Sequence, residues 1–276
     1  MSMPIALLAA DMDGTLLNSR KTISPGDVSA LNRALEAGKT VVFATGRSLA
    51  ELNAFFPLFP RMRYVLGESG ALIYDLRERR AIHRQRFDPA LVRTIRARLG
   101  DRDLMPQILI NDLCLMNRRD VANLSHFRMA HYQSHFDATG THLDDAWAEC
   151  AALGWAADKI CLYHVSPEDR AVTRAALEDL SVVLVDAEET SLEVSPVGVD
   201  KGAGLELLCR HLGLDRAQVL AVGDSYNDLT MLRAAGLSVA MGNAVDAVKA
   251  VCDAVVADND HCGVADAVER FLLEKL

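Results

Sequence analysis

Two aspartates that follow a short apolar segment are the residues of this sequence best suited to chemistry. Asp11 and Asp13 come directly after the apolar residues 5–10, a run typical of a buried strand. Side chains at positions i and i+2 of a strand share a face, so an extended chain would crowd the two carboxylates. Two unit charges about 4 Å apart repel by about 4 kcal/mol at an effective dielectric of about 20. A bound cation, a proton on one carboxyl or a turn that re-aims one side chain would relieve this repulsion, and all three fit phosphoryl transfer.

Polar residues also end two later apolar segments. Thr45 follows the β-branched segment 40–44, and Asp224 follows the segment 219–223. The alternation of strand and helix around these segments predicts parallel strands joined by crossover helices. Ligands of open parallel sheets bind outside the carboxyl ends of the strands, so we expect Asp11, Asp13, Thr45 and Asp224 to meet at one edge of a sheet.

Four motifs, each behind an apolar segment, resemble those of the haloacid dehalogenase superfamily of phosphotransferases. In order they are Asp-Met-Asp-Gly-Thr at 11–15, Ala-Thr-Gly-Arg at 44–47, Val-Asp-Lys-Gly at 199–202 and Gly-Asp-Ser-Tyr-Asn-Asp at 223–228. The length of chain between the second and third motifs, and the segment 240–244, are similar to the Cof-type branch (subclass IIB), which carries a large cap. One position departs from the family pattern: Ser69 stands where the family usually has asparagine, and we expect a modest effect on the cap hinge or a substrate contact.

The resemblance implies a nucleophile, an acid–base group and a metal site. Asp11 would attack phosphorus and form an aspartyl-phosphate, and Asp13 would protonate the leaving alcohol and then activate water. A Mg²⁺ ion would bind Asp11, the backbone carbonyl of Asp13 and Asp224. Hard oxygen ligands favour Mg²⁺ over zinc. Crowded carboxylates should raise the pKa of one of their number, as a general acid at neutral pH requires.

The resemblance also implies a set of phosphate-binding groups. Thr45 and Lys201 would hold the phosphoryl oxygens, and Lys201 would neutralise part of the carboxylate charge. Asn227 would touch the phosphate, and Asp228 would orient metal-bound water or Lys201. The backbone N–H groups of two further residues would help to stabilise the transferring oxygens: Met12 and Gly46.

The order of the predicted strands and helices indicates an α/β protein with a Rossmann-like parallel-sheet core and an inserted α+β cap. Near residue 80 the strand–helix alternation gives way to adjacent strands with interspersed helices, and it resumes near Lys201. We therefore expect a discontinuous core of residues 1–80 and 191–276, and a cap (type C2B-like) of residues 81–190. There is no Pro- or Ser-rich linker.

The composition of the chain limits the classes of molecule that it is expected to bind. The chain has 276 residues and a net charge of −9, which argues against a nucleic-acid partner. Its six cysteines show no C-x-x-C pairing and fit a reducing cytosol, and no apolar run is long enough for a membrane span or a secretion signal. The expected partner is a small phosphorylated metabolite, of sugar phosphate or pyridoxal phosphate type, bound by a cytoplasmic monomer or weak homo-oligomer.

Several alternatives stay open at this point. Arg47 could reach substrate or form a packing ion pair. His131 and His135 have the spacing of metal ligands on a helix, although no third ligand is evident and surface or cap polar residues are favoured. The leading hypothesis is a Mg²⁺-dependent phosphatase; the others are a phosphomutase of the same superfamily and a non-catalytic metabolite-binding or regulatory protein on the same fold.

Overall fold

The structure, a computed structural model, describes residues 4–273. Residues 1–3, where the sequence predicts no targeting segment, and residues 274–276, which end the predicted core, lie outside the described residues. Within that range the β-strands are β1 (Leu7–Ala10), β2 (Thr40–Ala44), β3 (Tyr64–Gly67), β4 (Leu72–Asp75), β5 (Arg80–Arg84), β6 (Leu104–Ile110), β7 (Leu113–Asn117), β8 (Thr141–Leu143), β9 (Lys159–His164), β10 (Val182–Asp186), β11 (Ser191–Pro196), β12 (Val219–Gly223), β13 (Leu237–Ala240) and β14 (Ala254–Val255).

The helices of the same residues are mostly short. They are α1 (Pro25–Glu36), α2 (Leu49–Leu52), α3 (Pro89–Leu99), α4 (Arg118–Val121), α5 (Gln133–Thr139), α6 (Ala146–Ala152), α7 (Pro167–Leu177), α8 (Lys201–Leu212), α9 (Leu229–Ala234), α10 (Asp246–Lys249) and α11 (Gly263–Ala267). No helix of the described residues has the length and apolar character needed to cross a bilayer. Leu49, Leu52 and Phe55 have helical spacing in the sequence, but α2 ends at Leu52 and a 3₁₀ turn at Phe56–Leu58, with Pro57 near its start, follows it.

The chain divides into two compact units. The first consists of the residues up to Gly46, Asn53–His83 and the residues from Asp200 onward; the second consists of Arg47–Leu52 and Arg84–Val199. The expected boundary at residue 190 differs from this division, because β11 pairs antiparallel with β9 and β10 and so lies in the second unit. The assignment of the units to a catalytic core and a cap stays a prediction.

The first unit is built on an eight-stranded sheet in the order β14-β13-β12-β1-β2-β3-β4-β5. The strands from β14 to β3 pair in parallel, and β4 turns back antiparallel on β3. Strand β1 lies between β12 and β2 and is fully buried, which explains its apolar sequence without alternation. The predicted fold class, a mixed α/β protein with a parallel-sheet core, is confirmed.

Side-chain N-caps begin the two longest helices of the first unit. The hydroxyl of Ser24 accepts the Asp27 N–H at 3.0 Å, and Pro25 occupies the first position of α1. The Asp200 carboxylate accepts the Ala203 N–H at 2.9 Å, so α8 begins at Lys201. These caps fix where each helix starts.

The second unit contains a six-stranded sheet in the order β10-β11-β9-β6-β7-β8, mostly antiparallel. One face carries an apolar cluster that includes Ile108, Ile160 and Leu162. The other face carries a second cluster that includes Met105, Cys114 and Phe136. Strands β6 and β7 pair antiparallel as a hairpin, an instance of the adjacent strands that the sequence predicts for this part of the chain. All six cysteines are free thiols.

Candidate active site

Parallel strands of the first unit bring the chemically capable residues to one edge of its sheet. Asp11 follows β1, Thr45 follows β2 and Asp224 follows β12. The registers pair Ala10 with Val222 on one side and with Phe43 on the other, so the three strands end level with one another. Their carboxyl ends therefore deliver these polar residues to a common edge, as the sequence predicts.

Lys201 lies at the centre of this group. It is the first residue of α8 and its side chain is 1% exposed. Its Nζ donates to Asp11 Oδ1 at 2.5 Å and to Asp228 Oδ1 at 2.6 Å. One buried ammonium therefore holds two carboxylates that are far apart in the sequence.

Three carboxylates converge beside this lysine. Asp11, Asp224 and Asp228 each offer an oxygen, and these oxygens lie within 4.8 Å of one another. Asp224 is held in place by Thr15, whose Oγ1 donates to Asp224 Oδ1 at 2.8 Å. Asp228 is held by the backbone, because its Oδ2 accepts the N–H groups of Asp224 at 2.9 Å and of Ser225 at 3.0 Å.

Glycine is required where the backbone approaches these carboxylates. Gly14 has φ +85°, and a Cβ there would lie 2.9 Å from Asp224 Cγ. Gly223 ends β12, and a Cβ there would lie 2.7 Å from the Cβ and Cγ of Asp228. The absence of a side chain at these two glycines therefore leaves room for the carboxylates of Asp224 and Asp228.

The electrostatics of the group follow from burial and charge crowding. Burial, reinforced by the Asp228 carboxylate, holds the pKa of Asp11 well above its usual range, although Lys201 opposes the shift. Burial and Asp228 likewise raise the pKa of Asp224 to about 6. Burial alone would lower the pKa of Lys201, but Asp11 and Asp228 raise it above its usual value. The lysine thus stays charged, whereas the raised pKa values of Asp11 and Asp224 favour their protonated forms.

This donor set fits a hard divalent cation. Carboxylate oxygens are the ligands that Mg²⁺ prefers. Burial is the main cause of the raised pKa values of Asp11 and Asp224, and the neighbouring Asp228 carboxylate adds to it; a bound cation would oppose both effects. Both oxygens of Asp228 already have partners in Lys201 and two backbone N–H groups. Asp11 and Asp224 are therefore the residues whose side chains are best suited to hold the ion.

Asp13 lies apart from the three converging carboxylates. Its Oδ1 is 3.1 Å from Nζ of Lys21, and the two side chains are 36% and 44% exposed. Lys21, which has φ +57°, was missed by the sequence analysis, because nothing in its local pattern distinguishes it from a surface lysine. Thr15 was missed as well, although it is part of the first motif. The ion pair sets an ammonium beside the carboxyl predicted to act as acid and base.

The remaining predicted site residues lie in or beside the loops of this edge. Thr45 is fully buried; its N–H donates to the Leu66 carbonyl at 2.9 Å. Met12 is fully buried, and its carbonyl accepts the Leu17 N–H at 2.7 Å. The side-chain oxygen of Asn227 is buried and makes no hydrogen bond to any described residue, so it can accept a hydrogen bond from a ligand; only the NH₂ group of this amide could donate to a phosphate. Gly46 follows Thr45 at the end of the first segment of this unit.

The histidines and arginine left open by the sequence belong to the second unit. His135 Nε2 lies 2.8 Å from the buried carboxylate of Glu51, and Arg47 Nη1 lies 3.4 Å from His135 Nδ1. His131 Nε2 lies 3.7 Å from Glu188. Among the described residues, no group of three metal-ligating side chains includes either histidine. This favours the interpretation of both as polar residues of the second unit, and Arg47 lies beside the Glu51–His135 pair.

Comparisons with known proteins identify the family of the chain. Residues 8–268 match the family model of haloacid dehalogenase-like hydrolases. The chain is 27% identical to 5-amino-6-(5-phospho-D-ribitylamino)uracil phosphatase YcsE of Bacillus subtilis, over 98% of this chain and 96% of that protein. It is 29% identical to phosphatase YwpJ of the same organism, over 96% and 99% of the two chains.

A solved structure supports the same relationship. The structure of a haloacid dehalogenase-like hydrolase from B. subtilis superposes with a TM-score of 0.86 and 28% identity, over 97% of this chain and all of that one. The family match spans nearly the whole chain and includes all four motifs. The superfamily prediction made from those motifs is confirmed, and the chain belongs to the family of haloacid dehalogenase-like hydrolases.

Proposed function

We propose that this hydrolase is a Mg²⁺-dependent phosphatase that cleaves a small phosphorylated metabolite through an aspartyl-phosphate. The observation that carries the proposal is the buried ammonium of Lys201 between Asp11 and Asp228, beside Asp224, at the carboxyl edge of the sheet. The phosphatase class is supported by the family and by the relatives YcsE and YwpJ, both phosphatases.

Asp11 is the nucleophile in this mechanism. Its Oδ1 is held by Lys201, which keeps the carboxylate oriented and partly neutralises it as an anionic phosphate approaches. An Asp11 oxygen forms a bond to phosphorus while the bond from phosphorus to the alcohol oxygen breaks. A carboxylate nucleophile divides one difficult displacement into two easier ones.

Asp13 moves the protons. In the first step its carboxyl gives a proton to the departing alcohol oxygen; in the second its carboxylate takes a proton from water. The water oxygen bonds to phosphorus, the bond from Asp11 to phosphorus breaks, and inorganic phosphate leaves. Lys21 Nζ lies 3.1 Å from Asp13 Oδ1 and holds this side chain in place.

Charge stabilisation comes from fixed donors. Lys201, the Thr45 hydroxyl and the Asn227 amide bind phosphoryl oxygens, with the N–H groups of Met12 and Gly46. Such preorganised donors contribute most when they cost no reorganisation during the reaction. Asp11, Asp224 and the Asp13 carbonyl would hold Mg²⁺, and the bound ion would supply positive charge near the phosphoryl oxygens. Asp228 positions Lys201 through its Oδ1.

The proposed substrate is a phosphate monoester of metabolite size, of sugar phosphate or pyridoxal phosphate type. The relative YcsE is a phosphatase of 5-amino-6-(5-phospho-D-ribitylamino)uracil, which supports a small phosphorylated compound. We further propose that the second unit is the cap domain that selects the substrate, and that the enzyme works in the cytoplasm as a monomer or weak homo-oligomer, without nucleic acid or membrane partners.

The test is phosphate release from p-nitrophenyl phosphate and from a panel of phosphorylated metabolites, with and without Mg²⁺. We expect activity that needs Mg²⁺ and is abolished by Asp11→Asn. Asp144→Asn, which neutralises a fully exposed acid of the second unit, is the matched control and should remain active. A fully active Asp11→Asn would rule out the mechanism. Isomerised sugar phosphate without net phosphate release would indicate a phosphomutase, and tight binding without turnover a non-catalytic protein.

A further inference from the structure

A turn of unusual backbone geometry follows β3. Glu68 (φ 54°), Ser69 (φ 59°) and Gly70 (φ 102°) are three consecutive residues in the left-handed region. Only glycine adopts this region without a steric cost, so two of the three positions are held there by their surroundings. Strained backbone of this kind persists where neighbouring structure fixes it, and it clusters at functional sites. The contacts of the turn show what it is fixed against.

One side of the turn holds the backbone of Thr45. The Ser69 N–H donates to the Thr45 carbonyl at 2.9 Å, and the Thr45 N–H donates to the Leu66 carbonyl at 2.9 Å. Both peptide groups of Thr45 are therefore bonded to the end of β3 and the turn that follows it. The left-handed conformation of Ser69 aims its N–H at this carbonyl.

The other side of the turn supports the start of α8. A Cβ at Gly70 would lie 2.7 Å from the backbone carbonyl carbon of Asp200 and 3.3 Å from the backbone nitrogen of Lys201. Across the same contact, a Cβ at Gly204 would lie 2.9 Å from the Gly70 Cα. The turn and the first turn of α8 thus touch backbone to backbone, with no side chain between them to absorb a change.

We propose that the turn Glu68–Gly70 is a positioning element that sets the distance between Thr45 and Lys201, with Ser69 and Gly70 as its positioning residues. The inference rests on the proposed function, in which Thr45 and Lys201 hold the same phosphoryl group. One rigid turn bonds to the backbone of the first and abuts the backbone of the second. Its geometry, rather than any contact of its own with substrate, decides whether both reach the phosphate together.

The competing interpretation is that the turn only joins β3 to β4, which pair antiparallel. A mere connector would affect stability alone when altered. A positioning element would also affect phosphate binding and turnover, because a displacement of about 1 Å in a catalytic group can cost about 100-fold in rate. Kinetics and stability measured on the same variants separate the two interpretations.

Two substitutions perturb the turn in different ways. Gly70→Ala places a methyl group against Asp200, and Ser69→Val places a β-branched residue in a left-handed conformation it strongly disfavours. For each we expect kcat with p-nitrophenyl phosphate to fall at least about 10-fold and the inhibition constant of inorganic phosphate to rise at least about 10-fold, within the range that misplacement produces. Should Gly70→Ala fail to fold, Ser69→Val carries the test.

A matched control lies at the other end of the same helix. Gly213 ends α8 with φ +68°, and a Cβ there meets nothing within 4 Å. Gly213→Ala therefore strains a left-handed glycine of α8 without touching the turn. We expect it to lower the melting temperature and to leave kcat and phosphate inhibition unchanged. Ser69→Asn should retain wild-type kinetics, because asparagine tolerates the left-handed region.

The outcomes distinguish this inference from the proposed function. If the wild type hydrolyses p-nitrophenyl phosphate and Asp11→Asn is inert, the function holds; Gly70→Ala and Ser69→Val with wild-type kcat and phosphate inhibition would then overturn the positioning role. Losses in these variants no larger than that of Gly213→Ala, at equal melting temperatures, would overturn it as well. An active Asp11→Asn would instead refute the proposed mechanism. Kinetic loss in the turn variants alone, with Ser69→Asn intact, supports the inference.

Discussion

Replacing Lys201 by methionine probes the charge balance of the site most directly. The substitution keeps an unbranched side chain of similar length and removes the ammonium that donates to Asp11 and Asp228. Both carboxylates are buried, with side chains 6% and 0% exposed. They would therefore remain in place without their cation, and the protein would have to tolerate the charge or take up a proton.

The expected magnitude follows from those two contacts. A hydrogen bond to a charged group contributes about 1.5–3 kcal/mol, and removing one partner of a buried ion pair typically costs about 3–5 kcal/mol. We expect the free energy of unfolding of Lys201→Met to fall by about 3–5 kcal/mol at neutral pH in EDTA. Since Lys201 opposes the already raised pKa of Asp11, its removal raises that pKa further. Protonation of Asp11 then relieves the unpaired charge, so the deficit should shrink as the pH falls.

The assay combines urea unfolding in EDTA at several pH values with phosphate release in Mg²⁺. Loss of a preorganised charge donor costs about 10²–10³ in kcat, and we expect a loss at least this large. Lys249→Met, a lysine on α10, is the control for removal of a positive charge. A Lys201→Met protein within about 1 kcal/mol of the wild type at every pH, a shift too small for a broken buried pair, would refute the reasoning.

Three further predictions concern neighbouring features. Gly14→Ala should lose about 1–3 kcal/mol of stability, and it should weaken Mg²⁺ binding measured by calorimetry because the added Cβ would meet Asp224. Gly38→Ala is the control: Gly38 has φ +80° and open space around its Cβ, so the substitution should lower stability without changing Mg²⁺ affinity. Equal Mg²⁺ affinities in the two variants would contradict the clash. Because the pKa of Asp224 is raised to about 6 and protons compete with the ion, Mg²⁺ affinity should fall as the pH drops through that value, and an affinity independent of pH would argue against Asp224 as a ligand. Burial would raise the pKa of Glu51, but the hydrogen bond with His135 and further contacts lower it below its usual value, so its stabilisation is present above the usual carboxyl pKa and is lost as the pH falls towards the folded-state value. Glu51→Gln should therefore be about 1–3 kcal/mol less stable at neutral pH with a gap that closes in acid, and a constant gap in thermal melts would disprove the linkage.

Most of the strands and helices could be predicted from short-range patterns in the sequence. The apolar segment before Asp11 and the cap at Ser24 each specify their element locally, and the structure contains both. The start of α8 also follows from the local sequence, because Asp200 is a good N-cap. The expected boundary at residue 190 differs from the division of the structure, because the mixed polar and apolar sequence of β11 gives no clear strand signal and only its pairing with β9 assigns it to the second unit.

Part of the site could be predicted from the sequence, because polar residues follow the ends of the predicted strands. Asp11, Asp224, Asp228 and Lys201 were expected together, and the structure brings them together. Lys21 was invisible, because its contact with Asp13 depends on a loop conformation that no periodicity encodes. The dual contact of the Ser69 turn was hidden for the same reason, since it joins segments that are distant in the chain.

The pairing of β1 has a consequence for the order in which the chain assembles. Its neighbour β12 lies roughly 200 residues downstream, and closing so long a loop carries an entropic cost before any contact compensates. During synthesis, the sheet formed by β6 to β11 emerges complete while β1 still lacks that neighbour. A ribosome-bound chain should therefore expose an unpaired side of β1 until nearly the whole protein is made, and this interval is when chaperone capture or misassembly would occur.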